Sequence, residues 1–101
     1  MHLIELYLPM NSHDGTPFPS QVFTDIEDQL TEKFGGVTAH KRAPAHGKWQ
    51  SGGSTDTDSI AIFEVIAETF ERSWWKEFQS HLEQQLEQEK LLITAKNIEV
   101  L

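Results

Sequence analysis

The chain has 101 residues, enough for one domain and too few for two. Sixteen Asp and Glu stand against eight Lys and Arg, a formal net charge of −8 that repels phosphate backbones and argues against general nucleic-acid binding. Cysteine is absent, which excludes disulfide scaffolds, thiol catalysis and thiolate metal sites and fits a cytoplasmic protein.

No run approaches the ~20 apolar residues of a membrane helix. The segment Met1-His2-Leu3-Ile4-Glu5 has no basic region followed by an apolar stretch, so no secretory signal is expected. Residues 2–8 predict a strand, with Ile4, Leu6 and Leu8 on one face and Leu3, Glu5 and Tyr7 on the other. Residues 10–19 are turn-rich, with Asp14-Gly15 and two prolines. A helix is predicted from about Ser20, its N-cap, to Phe34, because Val22, Phe23, Ile26, Leu30 and Phe34 recur at helical spacing. Gly35-Gly36 stops it, since glycine takes the left-handed C-cap conformation without penalty.

Residues 37–42 predict a second strand, with Val37 and Ala39 toward the helices and Thr38, His40 and Arg42 the other way. Residues 43–58 form a long connection containing Pro44, Gly47, Gly52 and Gly53, with a short strand at Lys48-Trp49-Gln50. A third strand, Ser59–Ile66, is apolar on both faces, as a central strand should be, with Glu64 its one charge. A second helix is expected over roughly Phe70–Glu89, striped by Trp74, Trp75, Phe78, Leu82 and Leu86, and a last strand from Leu91 or Leu92 to about Leu101. At most one of the adjacent Trp74 and Trp75 can point fully into the core.

The order β-α-β-β-α-β predicts a single α+β domain, a ferredoxin-like sandwich. A four-stranded antiparallel sheet carries two helices on one face and an extended loop or hairpin between the second and third strands. The other sheet face is bare. With Leu3, Tyr7, Ile60 and Ile62 on it, that face is too apolar to leave in water, so a homodimer or higher homo-oligomer is expected.

Phe34-Gly35-Gly36-Val37-Thr38-Ala39, Arg42-Ala43-Pro44-Ala45-His46-Gly47-Lys48-Trp49, Gly52-Gly53, Trp74-Trp75 and Gln88-Glu89 together carry a likeness. In these the chain resembles a family of uncharacterised bacterial proteins of about this length. The resemblance implies the ferredoxin-like fold and brings no activity. The architecture is also similar to dimeric α/β-barrel proteins, which include small monooxygenases and lyases, and to small trimeric regulators that bind effectors through the loop between strands two and three. Neither analogy fixes function.

The bare face gathers the residues able to do chemistry. Glu64 beside His40 makes the imidazole a candidate general base, and Tyr7 is placed to donate a proton or orient a carbonyl. The outward register of Glu64 follows from the cost of burying an unpaired carboxylate. Arg42 is suited to holding a carboxylate or phosphate bidentately, with Thr38, Lys48 and Trp49 completing a ligand-binding wall. From Lys33 to Thr55 there is no acid, while four of the eight basic residues lie there, so an anionic ligand is expected. The competing readings are a structural ion pair at an interface, and a hairpin whose Trp49 packs on a partner.

Other chemistry has no signature. The glycines match no phosphate-loop spacing. No H-x-x-x-H or H-E-x-x-H occurs, and His40 with His46, His13-Asp14, and Glu77 with His81 do not make the converging set a metal needs; no cofactor is expected. Serine nucleophile motifs are absent. Three functions stay open: an oligomeric domain binding a small anionic ligand, a cofactor-free enzyme using His40 with Glu64 or Tyr7, and an interaction module.

Overall fold

In the computed structural model, β1 (His2–Pro9) is the strand from which the rest is built. The structure describes residues 1–42 and 59–101. Ile4, Leu6 and Leu8 alternate inward and are fully buried, as period-two patterning requires. The remaining elements are α1 (Ser20–Phe34), β2 (Thr38–Arg42), β3 (Ile60–Ala67), α2 (Arg72–Gln85) and β4 (Leu92–Asn97). The sheet runs β2-β3-β1-β4, antiparallel throughout. This is the ferredoxin-like arrangement, with the two most apolar strands at the centre. The short strand expected at Lys48-Trp49-Gln50 lies outside the described residues.

Both helices cover the same sheet face. Phe23, Ile26 and Leu30 of α1 and Trp75, Phe78 and Leu82 of α2 join Ile4, Leu6, Leu8, Ala61, Phe63 and Val65 in one core. Of the two adjacent tryptophans, Trp75 takes the core, and Trp74 stacks edge-on against it with ring centroids 4.8 Å apart. Lys33 holds the helix ends together: its Nζ is 3.2 Å from Glu71 and 4.8 Å from the centroid of the Trp74 ring.

The helix ends differ from expectation in detail. Ser20 is the first helical residue and Pro19 occupies the cap, with an extended backbone. Gly35 closes α1 at φ +82°, its N–H donating to Thr31 at 2.7 Å. The second helix is shorter than expected at both ends. Phe70 stays in the preceding turn, where it packs on His2 at 6.0 Å between centroids. At the other end Glu87 adopts φ +53°, while Gln88 N–H reaches Glu83 O at 2.8 Å and Glu87 N–H reaches Gln84 O at 3.3 Å. That bond pair is a Schellman closure with glutamate in the position glycine favours. Just beyond, α2 ties down the start of β4. Glu83 accepts from Leu91 N–H at 2.9 Å, and Gln79 Nε2 donates to Leu91 O at 2.7 Å. Among the described residues no helix is long and apolar enough to cross a membrane.

Candidate functional site

Strand alternation decides what the helix-free face presents. Because Phe63 and Val65 are buried against the helices, Glu64 must point outward, and so must Ile60, Ile62 and Ile66. In β2, Ala39 is opposite Phe63 and packs on the core, which turns Thr38 and His40 to the open face.

Register then stacks these residues in rows across the sheet. One row runs Thr94, Glu5, Glu64, Thr38 from β4 to β2. The next runs Leu92, Tyr7, Ile62, His40. On the other side of the polar row lie Lys96, Leu3 and Ile66. The polar row is therefore flanked by two rows that are mainly apolar, each ending in a basic residue, His40 or Lys96.

Within the centre, His40 Nε2 lies 3.0 Å from Glu64 Oε1. The contact is diagonal, since the residue directly across from Glu64 on β2 is Thr38. Tyr7 does not join this pair. Its hydroxyl donates to Glu5 Oε2 at 3.5 Å, and Lys96 Nζ stands 4.0 Å from Glu5 Oε1. Glu5 and Glu64 are cross-strand partners, so two carboxylates face each other across the middle of the sheet. Each has its own basic neighbour, Lys96 for Glu5 and His40 for Glu64.

The chemistry of the pair follows from donor and acceptor inventories. An ionised carboxylate only accepts, so the nitrogen facing Glu64 carries the hydrogen. In the neutral imidazole, Nδ1 is then the nitrogen left to accept a proton. The His40 side chain is 44% exposed, so a ligand can reach it. Among the described residues no group of three or more His, Asp or Glu is placed to hold a metal.

The structure thus brings His40, Glu64, Thr38 and Tyr7 onto one face, with Tyr7 one neighbour removed, bonded to Glu5. Arg42 ends β2 with its backbone opposite Ile60; its side chain, and Lys48 and Trp49 entirely, lie outside the described residues. Lys96 and Thr94 complete the site from β4. Sequence alternation alone does not reveal them, because the offset of β4 against β1 is set by the α2–β4 connection.

No family model matches the chain, and no curated protein matches it. Among solved structures the fold is similar to that of a phage SAM lyase in complex with S-methyl-5'-thioadenosine, with a TM-score of 0.56 over 95% of this chain and 80% of that one. Sequence identity is 12%, so the likeness is one of fold.

Proposed function

We propose that this chain is a small-molecule-binding domain that works as a homo-oligomer. Its site is the open sheet face, with the His40–Glu64 pair at the centre. The observation that carries this reading is the 3.0 Å contact between those side chains, set beside Glu5 and Tyr7 in the middle of a face that also carries Leu3, Ile62, Ile66 and Leu92. A solvated structural face has no need of such a grouping, because cross-strand carboxylates oppose each other unless something recognises them. The acid-free stretch from Lys33 to Thr55 supports an anionic group on the ligand, held by Arg42 with Lys48, Trp49 and Thr38. The phage SAM lyase carries a small molecule on the same fold. The exposed apolar residues Ile66 and Leu92 flank the polar centre and support a second copy as the partner that closes the site. The cysteine-free composition fits a cytoplasmic setting.

A second reading, a cofactor-free enzyme, is favoured by one feature of the same pair. With Nε2 facing Glu64, Nδ1 of the neutral His40 ring is the nitrogen left to accept a proton.

The test is a screen of phosphate- and carboxylate-bearing metabolites against the purified protein, read by backbone amide shifts. A ligand should perturb residues 38–42 and 62–64 first, and His40→Ala should abolish its binding. Turnover of that ligand, lost in His40→Gln with binding retained, supports the enzyme reading. Shifts confined to other surfaces, or no ligand at all, count for an interaction module instead.

A further inference from the structure

The sheet ends in two edges, β2 and β4. In an antiparallel ladder each residue turns both its backbone groups to one side, and successive residues alternate between the two sides. Ile98 N–H donates to Met1 O at 2.9 Å, which sets the phase of β4. In the β1–β4 register, Leu92, Thr94 and Lys96 then bond inward, opposite Tyr7, Glu5 and Leu3. Leu91, Ile93, Ala95 and Asn97 turn their N–H and C=O groups outward. The groups of Leu91 are taken up by α2, through Glu83 at 2.9 Å and Gln79 at 2.7 Å. Among the described residues nothing bonds to the outward groups of Ile93, Ala95 or Asn97.

This edge lacks the usual protection. β4 contains no proline and its pairing with β1 is unbroken. Ala95 lies on the helix side of the sheet and is still exposed, so the helices stop short of it. The one charge on β4, Lys96, lies 4.0 Å from Glu5 over the open face. The other edge is different. β2 carries His40, Lys41 and Arg42 in succession, so a second β2, or Lys96 of a second β4, would meet basic residues there.

A second β4 fits in one register. Outward groups must meet outward groups, so Ile93, Ala95 and Asn97 pair only among residues of their own phase. Centring the pair on Thr94 sets Asn97 against Leu91, whose groups α2 already holds. Centring it on Lys96 sets like charges opposite each other. Centring it on Ala95 sets Ala95 against Ala95 and Ile93 against Asn97, and all the free groups are used. On the open face that register places Lys96 of the second copy opposite Thr94. It then ends the row Thr94, Glu5, Glu64, Thr38 with a cation on the side of the two carboxylates.

We infer that β4 is a self-pairing edge, through which two copies join antiparallel about Ala95 so that their four-stranded sheets become one. This contact goes beyond the function proposed above. It uses the edge of the sheet and stands whether or not a second copy covers the open face. Backbone bonds exchanged for bonds to water contribute little each, so the edges pair at millimolar rather than micromolar protein.

The experiment is NMR on a millimolar mixture of isotope-labelled and unlabelled chains. An NOE is expected between Hα of Thr94 in one copy and Hα of Lys96 in the other, the close approach of a non-hydrogen-bonded antiparallel pair. Amide exchange at Ile93, Ala95 and Asn97 should slow roughly tenfold from micromolar to millimolar protein, while Thr94 and Lys96, bonded to β1, change little. Ala95→Lys opposes like charges at the centre of the register and should abolish both signals; the site is exposed, so the fold should hold. Ala95→Pro removes one outward N–H, which an edge strand tolerates, and should do the same. Ile66→Lys charges the open face and should leave both signals intact, which separates this contact from assembly through that face. Exchange that ignores concentration, an NOE from β4 to β2, or pairing that survives Ala95→Lys overturns the inference.

Discussion

His40 donates through Nε2 to Glu64 across a diagonal of the sheet, at 3.0 Å, rather than to a residue directly opposite. The neutral imidazole should therefore be the Nε2–H tautomer. Long-range ¹H–¹⁵N correlations at alkaline pH should report that form, and Glu64→Ala should move the ring toward a mixture. The pair is half in water, so the substitution should cost no more than about 1 kcal/mol of stability. A ring whose tautomer ignores Glu64 would remove the basis for Nδ1 as the proton acceptor.

The Glu5–Glu64 opposition makes a second, less intuitive prediction. Like charges directly across a strand pair destabilise it, and Lys96, at 4.0 Å and largely solvated, offsets little of this. Glu5→Gln should raise stability by about 0.2–1 kcal/mol in low salt, with the gain shrinking as salt screens the pair. Denaturant unfolding of both proteins at two ionic strengths measures it. If the gain comes with weaker ligand binding, the opposed carboxylates serve the site rather than the fold. A loss of stability would mean that the bonds from Tyr7 and Lys96 outweigh the repulsion.

These residues also show what sequence can and cannot disclose. The outward face of His40, Thr38 and Glu64 is legible because side chains alternate strictly in a strand and a buried unpaired carboxylate is costly. Lys96 and Thr94 beside Glu5 are not legible, because strand offset depends on how the chain leaves α2. There, Gln79 and Glu83 grip both backbone groups of Leu91, a bond pattern that leaves no periodic trace. The end of α2 was obscured in the same way. Residues 83–89 are all good helix formers, Leu86 among them apolar at helical spacing, and only the Glu87 backbone conformation marks the stop. The helix starts after Phe70, which packs on His2 and against the core from the segment ahead of α2.

The two helix ends carry opposite expectations from one principle. Gly35 sits at φ +82° with open space where a Cβ would stand, so Gly35→Ala should cost about 1–2 kcal/mol purely through the backbone. Glu87 at φ +53° is already in that penalised region, so Glu87→Gly should stabilise by up to about 1 kcal/mol. Thermal unfolding midpoints should move in opposite directions. A fall in both would show that the Glu87 side chain contributes more than its conformation costs.

Asp14 sets a pH expectation. The Ser12 hydroxyl first, then the Thr16 backbone N–H, hold its carboxyl down from 3.8 to about 2. A folded-state value below the unfolded one means that this contribution is present above about pH 4 and is lost as pH falls toward 2. Carboxyl ¹³C titration should find Asp14 protonating near pH 2. Asp14→Asn should flatten the acid limb of the stability curve in that window. An unchanged acid limb would show that the loop over residues 10–19 keeps its turn without the charge.

The final expectation concerns assembly. Ile66 is 50% exposed and Leu92 48%, at opposite corners of the polar centre, and Leu3, Tyr7 and Ile62 lie half-buried between them. Helices cover only the other side of the sheet, so nothing from the described helices shields this set. A monomer would leave an apolar patch in water that sheets of this kind normally cover. Light scattering at micromolar concentration should therefore give a mass of at least twice 11.6 kDa. Ile66→Lys with Leu92→Lys places a charge at each corner without touching the core or the His40–Glu64 pair. That protein should remain folded and sediment as a monomer. If the site needs the second copy, its ligand should bind the monomeric variant much more weakly, although His40 and Glu64 are intact. A wild-type protein that runs as a single 11.6 kDa species would overturn the assembly and leave the open face to its ligand alone.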